Sequence, residues 1–204
     1  MSILFLTGAT VTFRQLLDHI ATPTFLTFLN DQGFDRIVVQ YGNETDASGK
    51  HISKEYFSLL LQENAVVELL RLDIRNETND KSVTTFANSQ LQLQVFAYSD
   101  SLEAHIAEAD LVVSHGGTGS IMDTLRLGKP LVVVINDQLM DNHQTEVAEQ
   151  FEKEVYLRSV LCSELGTGAL EDAVTAFRSG HLVFRELASP LGGVLLGVIS
   201  QLLE

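Results

Sequence analysis

With 204 residues, 45% of them apolar, the chain has material for one sizeable core burying about 70% of its unfolded surface, and is short for two full domains. Thirteen Lys and Arg face 27 Asp and Glu, a formal net charge of -14, so a nucleic acid is repelled at long range and is not expected as a partner. An anionic ligand has to meet local positive potential, and backbone N–H groups at a helix start are its usual source.

Short β-branched runs alternate with longer segments of helical period, the mark of βα units around a parallel sheet, so the expected fold class is α/β. Ser2 to Leu6 reads as a buried strand, Thr7-Gly8-Ala9-Thr10 as the turn after it, and Phe13 to Leu29 as helix broken at Pro23. Asp35 to Gln40 is a second strand ending at the turn signal Tyr41-Gly42-Asn43; Glu44 to His51 reads as loop, and a helix follows from Ser53. The polar segment Asn76 to Asn88 reads as an exposed excursion, and the alternation over Leu91 to Ala97 as a half-buried strand. Ser101 is placed as the N-cap of a helix carrying Leu102, His105, Ile106 and Ala109.

Leu111 to Val113 is the next strand, and the glycine-rich loop begins at Ser114. Ser120 to Leu127 reads as a helix closed by Gly128 at C′, with Pro130 beyond. Leu131 to Ile135 is a strand, Asn136 to Asp141 a loop, Asn142 to Glu152 a helix, Val155 to Leu157 a short strand and Ala169 to Arg178 a helix. The tail from Leu191 to Leu203 reads as a weak, glycine-containing apolar helix.

The most specific feature is the run Ser114-His115-Gly116-Gly117-Thr118-Gly119-Ser120 between a strand and a helix. Such a loop presents backbone N–H groups at the positive end of the helix dipole, where phosphate oxygens are natural guests. Glycine permits close approach of the ligand, and Thr118 and Ser120 add hydroxyl donors. The dipole contributes at most about 2 kcal/mol, whereas micromolar binding needs about 8 kcal/mol, so further contacts have to supply the remainder. Asp123, one turn into the helix, has the reach to accept from two vicinal ribose hydroxyls, and is equally compatible with a solvated surface position. No Gly-Lys-Ser/Thr follows the loop, and Thr7-Gly8-Ala9-Thr10 lacks the dinucleotide spacing, which argues against ATP and NAD. The loop alone is also compatible with a βα turn that holds no ligand.

A second group, Leu139-Met140-Asp141-Asn142-His143-Gln144, follows the next strand. Loops at the carboxyl ends of parallel strands line one crevice, so this segment, Thr7 to Thr10 and His115 to Ser120 should converge. Asn142, His143 and Gln144 offer groups suited to sugar hydroxyls, and Asp141 or Asn142 is also a fitting helix cap. His115 and His143 lack the partners and spacing of a zinc site, so no metal is expected; His115 is better read as a satisfied or phosphate-facing histidine than as a general base.

The only cysteine, Cys162, cannot form an internal disulfide, and the start Met1-Ser2-Ile3-Leu4-Phe5-Leu6 lacks the basic flank and long apolar region of a secretory signal. Leu187 to Leu203 is interrupted by Ser189, Pro190, Gly192, Gly193, Gly197, Ser200 and Gln201, against the ~18 consecutive apolar residues of a membrane span. The expectation is a cytoplasmic chain without its own anchor.

Ser114 to Ser120 with Ile121-Met122-Asp123 and Gly128-Lys129-Pro130 behind it, then Asn136-Asp137-Gln138-Leu139-Met140-Asp141-Asn142-His143-Gln144, together form a signature. It resembles the family of the soluble catalytic subunit of the UDP-N-acetylglucosamine transferase of dolichol-linked oligosaccharide synthesis, and the likeness extends to Thr7-Gly8-Ala9-Thr10 and Gln40-Tyr41-Gly42. The resemblance implies the donor-binding half of a GT-B glycosyltransferase: a Rossmann-like parallel sheet flanked by helices, similar to the C-terminal half of the bacterial enzyme that adds N-acetylglucosamine to the peptidoglycan lipid precursor.

By that likeness Gly8, Ala9 and Thr10 with Gly117, Thr118, Gly119 and Ser120 hold the diphosphate, Asp123 the ribose and Gln144 the sugar hydroxyls; His115, Asn142 and His143 complete the donor set. The pattern departs from the bacterial one at His143 and Val147, which stand where that enzyme has a Gln and an Asn that meets the sugar. The implied reaction is transfer of N-acetylglucosamine from UDP-N-acetylglucosamine to N-acetylglucosaminyl-diphosphodolichol, with inversion and no obligatory cofactor. A GT-B enzyme needs an acceptor half, which the resemblance assigns to a separate membrane-anchored subunit at the cytosolic face of the endoplasmic reticulum. The general base is expected on that partner, and residues 189–204 as either a docking helix or a helix packed on their own domain. The residues alone also leave open a non-catalytic UDP-sugar-binding regulatory module; an epimerase would need acid/base carboxylates and a second domain in the same chain.

Overall fold

The structure, a computed structural model, describes residues 1–76, 83–137 and 143–187. Asn142 and the tail 189–204 lie outside the described residues, as do the side chains of His143 and Gln144.

The first strand, β1 (Ser2–Leu6), is buried along its whole length because it runs through the middle of the sheet. Its side chains alternate: Ile3 and Phe5 enter one apolar cluster, Leu4 and Leu6 the other. A strand covered on both faces has no polar side, which is why the sequence reads as an unbroken apolar run. Burying each such side chain contributes about 1.5–3 kcal/mol.

Two helices follow, α1 (Arg14–Ile20) and α2 (Pro23–Asp31). Pro23 opens α2 rather than interrupting one long helix, and Thr22 caps it by accepting from the Phe25 N–H at 3.3 Å. The strand β2 (Arg36–Gln40) is followed by α3 (Ile52–Glu63) and the single turn α4 (Val66–Leu69).

The polar excursion expected over Asn76 to Asn88 is corrected in part. β3 (Asp73–Asn76) and β4 (Thr84–Ala87) pair antiparallel at the sheet edge, and β4 pairs antiparallel with β5 (Gln92–Phe96). β4 is second from the edge and only Thr85 in it is buried, so with Thr84 and Thr85 it carries no apolar signature.

The second half of the chain contains α5 (Leu102–Glu108), β6 (Leu111–Ser114), α6 (Thr118–Arg126), β7 (Leu131–Ile135), α7 (His143–Lys153), β8 (Arg158–Leu161), a 3-10 helix (Cys162–Thr167) and α8 (Ala169–Arg178). Ser101 precedes α5 but its side chain makes no capping bond. The short strand expected at Val155 to Leu157 is displaced to β8. The Val155 and Tyr156 N–H groups close the end of α7 onto Glu152 O (2.8 Å) and Phe151 O (2.9 Å), with Val155 at φ 63°, so neither N–H is available to a strand ladder.

The sheet order is β3-β4-β5-β2-β1-β6-β7-β8. All pairings from β5 to β8 are parallel. Helices α1, α2, α3 and α8 pack on one face and α5, α6 and α7 on the other. In chain order, the six parallel strands run third, second, first, fourth, fifth, sixth across the sheet. Winding therefore reverses between β1 and β6, and the loops leaving their carboxyl ends part there to leave a crevice.

Candidate active site at the switch between two strands

Leu6 and Ser114 are register partners at the carboxyl ends of β1 and β6. The turns that follow are the two glycine-containing segments singled out in the sequence, and they meet across the switch point. A cleft of about 390 Å³ opens there, lined by Thr7, Gly8, Ala9, Thr10, Val11, Thr12, Phe13, His115 and Asn136. In a chain of net charge -14, that lining contains no carboxylate among the described residues. A hollow of similar size, about 380 Å³, lies at β8 and α8 and is lined by Glu164 and Asp172 against the single cation Arg158. Its charge suits an anion poorly, and it lies beside neither glycine segment.

His115 joins the two loops. Its backbone N–H donates to Leu6 O at 2.9 Å, and Nδ1 lies 3.1 Å from the same oxygen. A carbonyl only accepts, so Nδ1 carries the proton and Nε2 keeps its lone pair. Burial lowers the His115 pKa from the ordinary histidine value, with the Leu6 carbonyl opposing in part. The ring lies against both glycines: a Cβ on Gly8 would come within 3.3 Å of Nε2, and one on Gly117 within 2.5 Å. Gly8 is also held at φ 95°, in the left-handed region.

Helix α6 starts at Thr118, two residues before the expected Ser120. Gly117 is its N-cap and no side chain caps it. Ile121 N–H is bonded back to Gly117 O at 3.0 Å, while Thr118 and Gly119 are exposed at the helix mouth. The start of α6 thus presents open backbone donors at the positive end of its dipole. At its other end, Gly128 (φ 63°) donates to Leu125 O at 3.0 Å and Lys129 to Thr124 O at 3.2 Å, the paired bonds of a Schellman stop. Asp123 stands one turn into the helix, half-buried, with Arg126 at 3.8 Å as a loose ion-pair partner.

The fold thus gathers Gly8, Ala9, Thr10 and His115 in one cleft, with Gly117 against His115 and Thr118, Gly119, Ser120 and Asp123 following on α6. His143 and Gln144 begin α7, after β7. Val11, Thr12 and Phe13 also line the cleft and were not singled out in the sequence, and Asn136, the first residue of the signature segment, lines it without having been given a role. Asn136 was in principle legible, since it directly follows the last residue of a parallel strand. Two buried oxygens at the carboxyl ends of central strands, Ser114 Oγ and Asn43 Oδ1, have no hydrogen-bond partner. Among the described residues no three His, Cys, Asp or Glu side chains gather as metal ligands.

The Glycosyltransferase family 28 C-terminal domain profile matches residues 3–186. The chain belongs to this glycosyltransferase family. Family 28 relatives include proteins named UDP-N-acetylglucosamine transferase subunit ALG13. The one from Debaryomyces hansenii is 38% identical over 192 residues, 91% of each chain. The one from Saccharomyces cerevisiae is 35% identical, covering 80% of this chain and 79% of its own. The Homo sapiens protein is 34% identical over 81% of this chain, which spans only 11% of that longer protein.

Among solved structures, the solution structure of ALG13 superposes with a TM-score of 0.65 at 29% identity, covering 96% of this family 28 chain and 94% of that one. Acinetobacter baumannii MurG superposes at 0.57 with 16% identity, covering 87% of this chain and 42% of MurG. The latter likeness shows the fold, and agrees with a Rossmann-like half of a larger enzyme.

Proposed function

We propose that this chain is the donor-binding catalytic subunit of a UDP-N-acetylglucosamine transferase, and that its cleft receives the UDP moiety. The observation that carries the donor reading is a switch-point cleft with no carboxylate among its described lining residues, in a strongly acidic chain, beside the open N-terminus of α6. The diphosphate lies across Gly8 to Thr10 and Gly117 to Ser120, Asp123 takes the ribose hydroxyls, and Asn142, His143 and Gln144 face the sugar. In the reaction an acceptor hydroxyl oxygen attacks the anomeric carbon as the bond from that carbon to the diphosphate oxygen breaks. The electron pair leaves with UDP, and the backbone donors and dipole of α6 stabilise the charge that develops there. His115 binds the two loops together through Leu6 and lies against Gly8 and Gly117. We assign the base that takes the acceptor proton to the partner.

The acceptor is the lipid-linked N-acetylglucosaminyl-diphosphodolichol, presented at the cytosolic face of the endoplasmic reticulum by a membrane-anchored subunit. The word "subunit" in the relatives' names supports a separate partner; among the described residues no helix is long and apolar enough to cross a membrane. The test is incubation with labelled UDP-N-acetylglucosamine and a short-chain N-acetylglucosaminyl-diphosphate lipid, with and without membrane subunits. Product is expected only with the matching subunit. Absence of product with every subunit, alongside retained UDP binding, leaves a non-catalytic binding module.

A further inference from the structure

The loop from Gly8 to Phe13 is tied through its own Thr12 to two polar residues outside it, Ser53 and Glu44. Ser53, on α3, is fully buried, and Thr12 is nearly so. Their hydroxyl oxygens are 2.7 Å apart. Ser53 Oγ accepts from the Glu44 N–H at 2.9 Å, and the Glu44 carboxylate accepts from the Thr12 N–H at 2.9 Å. Hydrogen bonds from the Thr12 hydroxyl and then from its amide hold Glu44 below the usual carboxylate range. Either hydroxyl can donate in the Thr12–Ser53 bond, and the three contacts link Thr12, Ser53 and Glu44 into a closed ring through the Glu44 and Thr12 backbone amides. The adjoining Asn43 N–H donates to Ala9 O at 2.9 Å, tying the same loop a second time.

We infer that Thr12, Ser53 and Glu44 are positioning residues that fix the Gly8–Phe13 loop in its donor-receiving conformation, an assignment that rests on the cleft being the donor site. Ser53 and Glu44 do not line the cleft, so they act through Thr12 and not by touching the donor. Without the ring, the loop carrying Ala9 and Thr10 loses the Thr12 amide and hydroxyl contacts and keeps the Asn43 amide bond to Ala9 O and the His115 ring against Gly8. A diphosphate then has to order the loop as it binds, and affinity falls by the cost of that ordering.

The experiment compares Thr12→Val, Thr12→Ser, Ser53→Ala and Glu44→Ala. Amide exchange of residues 9–13 is followed without ligand, and UDP affinity and donor KM are measured in the assembled enzyme. Thr12→Val, Ser53→Ala and Glu44→Ala should each speed exchange of these amides and weaken UDP binding by about tenfold, the loss of one to two hydrogen bonds. Donor KM should rise with acceptor KM unchanged, and Thr12→Ser, which keeps the hydroxyl, should behave as the natural chain. Natural exchange and affinity in Thr12→Val would overturn the inference, as would Thr12→Ser failing equally, since methyl packing would then be the cause. A defect in Thr12→Val that both Ser53→Ala and Glu44→Ala lack would make Thr12 a direct contact and also overturn it. Should Ser53→Ala not fold, the half-exposed Glu44→Ala decides alone. If the natural chain binds no UDP, the donor reading fails, while amide exchange still decides whether the clamp exists.

Discussion

The imidazole of His115 fills the space that a side chain at position 117 would need: a Cβ on Gly117 would lie 2.5 Å from Nε2 and 2.9 Å from Cε1. Gly117 is thus required by close approach and not by its backbone angle, since φ is -68°. Gly117→Ala has to displace either the ring, which is pinned through Nδ1 to Leu6 O, or the first turn of α6. Overpacking of this kind costs about 1–3 kcal/mol. The displaced turn should also lower UDP affinity by at least about tenfold, the equivalent of 1.4 kcal/mol. Chemical denaturation and calorimetric titration with UDP measure the two effects separately. A variant with natural stability and affinity would show that the ring moves freely and does not set the loop.

The pH dependence of stability follows from the same ring and two others. His19, His105 and His115 are all lowered from the ordinary value of 6.5, in each case chiefly by burial; Glu171 opposes the shift at His19, Glu108 at His105 and the Leu6 carbonyl at His115. Below 6.5 the unfolded chain takes up protons that the folded chain does not, so stability rises with pH between the folded values and 6.5. On acidification from pH 7.5 to 5.5 the unfolding free energy should therefore fall, before the carboxylates begin to titrate. Urea titrations at several pH values check the sign, and the fall should be shallower in His115→Gln. A stability that rises on acidification would mean that these rings gain protons more easily in the fold.

Apolar runs placed β1, β2, β6 and β7 because central parallel strands are buried on both faces and carry no competing polar pattern, and the alternation over Leu91 to Ala97 placed the half-buried β5. The switch point was legible for the same reason: once β1 and β6 are strands, the turns after Leu6 and Ser114 have to share an end of the sheet. The edge was not legible. Thr84 and Thr85 in β4 resemble loop residues, and Val155, the apparent start of a strand, is spent on closing α7. Of the site, the glycines and Asp123 were visible as a motif. The Thr12, Ser53 and Glu44 ring was not, because a Ser at the start of α3 and a Glu in a polar loop carry no mark of meeting across more than 30 residues of sequence.

Asp123 offers a test of ligand contact with little structural interference. Its carboxylate is 40% exposed and its partner Arg126, 3.8 Å away, is 64% exposed. An exposed pair of this kind contributes about 0–1 kcal/mol, so Asp123→Ala should leave the melting temperature nearly unchanged. If the carboxylate accepts from ribose hydroxyls, the same variant should weaken UDP binding by about 1.5–3 kcal/mol, the range for hydrogen bonds to a charged group. Binding of ribose-free diphosphate should be unaffected, which separates a ribose contact from a general change in the cleft. Equal loss for both ligands would remove Asp123 from the ribose and assign its effect to the potential around α6.

Ile121 supplies the opposite case, a residue one turn into α6 that the ligand cannot reach. It is fully buried in the cluster formed with Leu4, Leu6, Val112 and Val133. Ile121→Ala should cost about 2–5 kcal/mol through lost transfer energy and the cavity left behind, and Ile121→Val about 0.5–1.5 kcal/mol. The first turn of α6 is set by Gly117 and His115 rather than by Ile121, so the fraction that remains folded should bind UDP with natural affinity. Activity per folded molecule, from titration of active sites, should then stay constant while the urea midpoint falls. A raised donor KM in Ile121→Val, where the volume change is one methylene, would show instead that the seating of α6 on the sheet tunes the anion site directly.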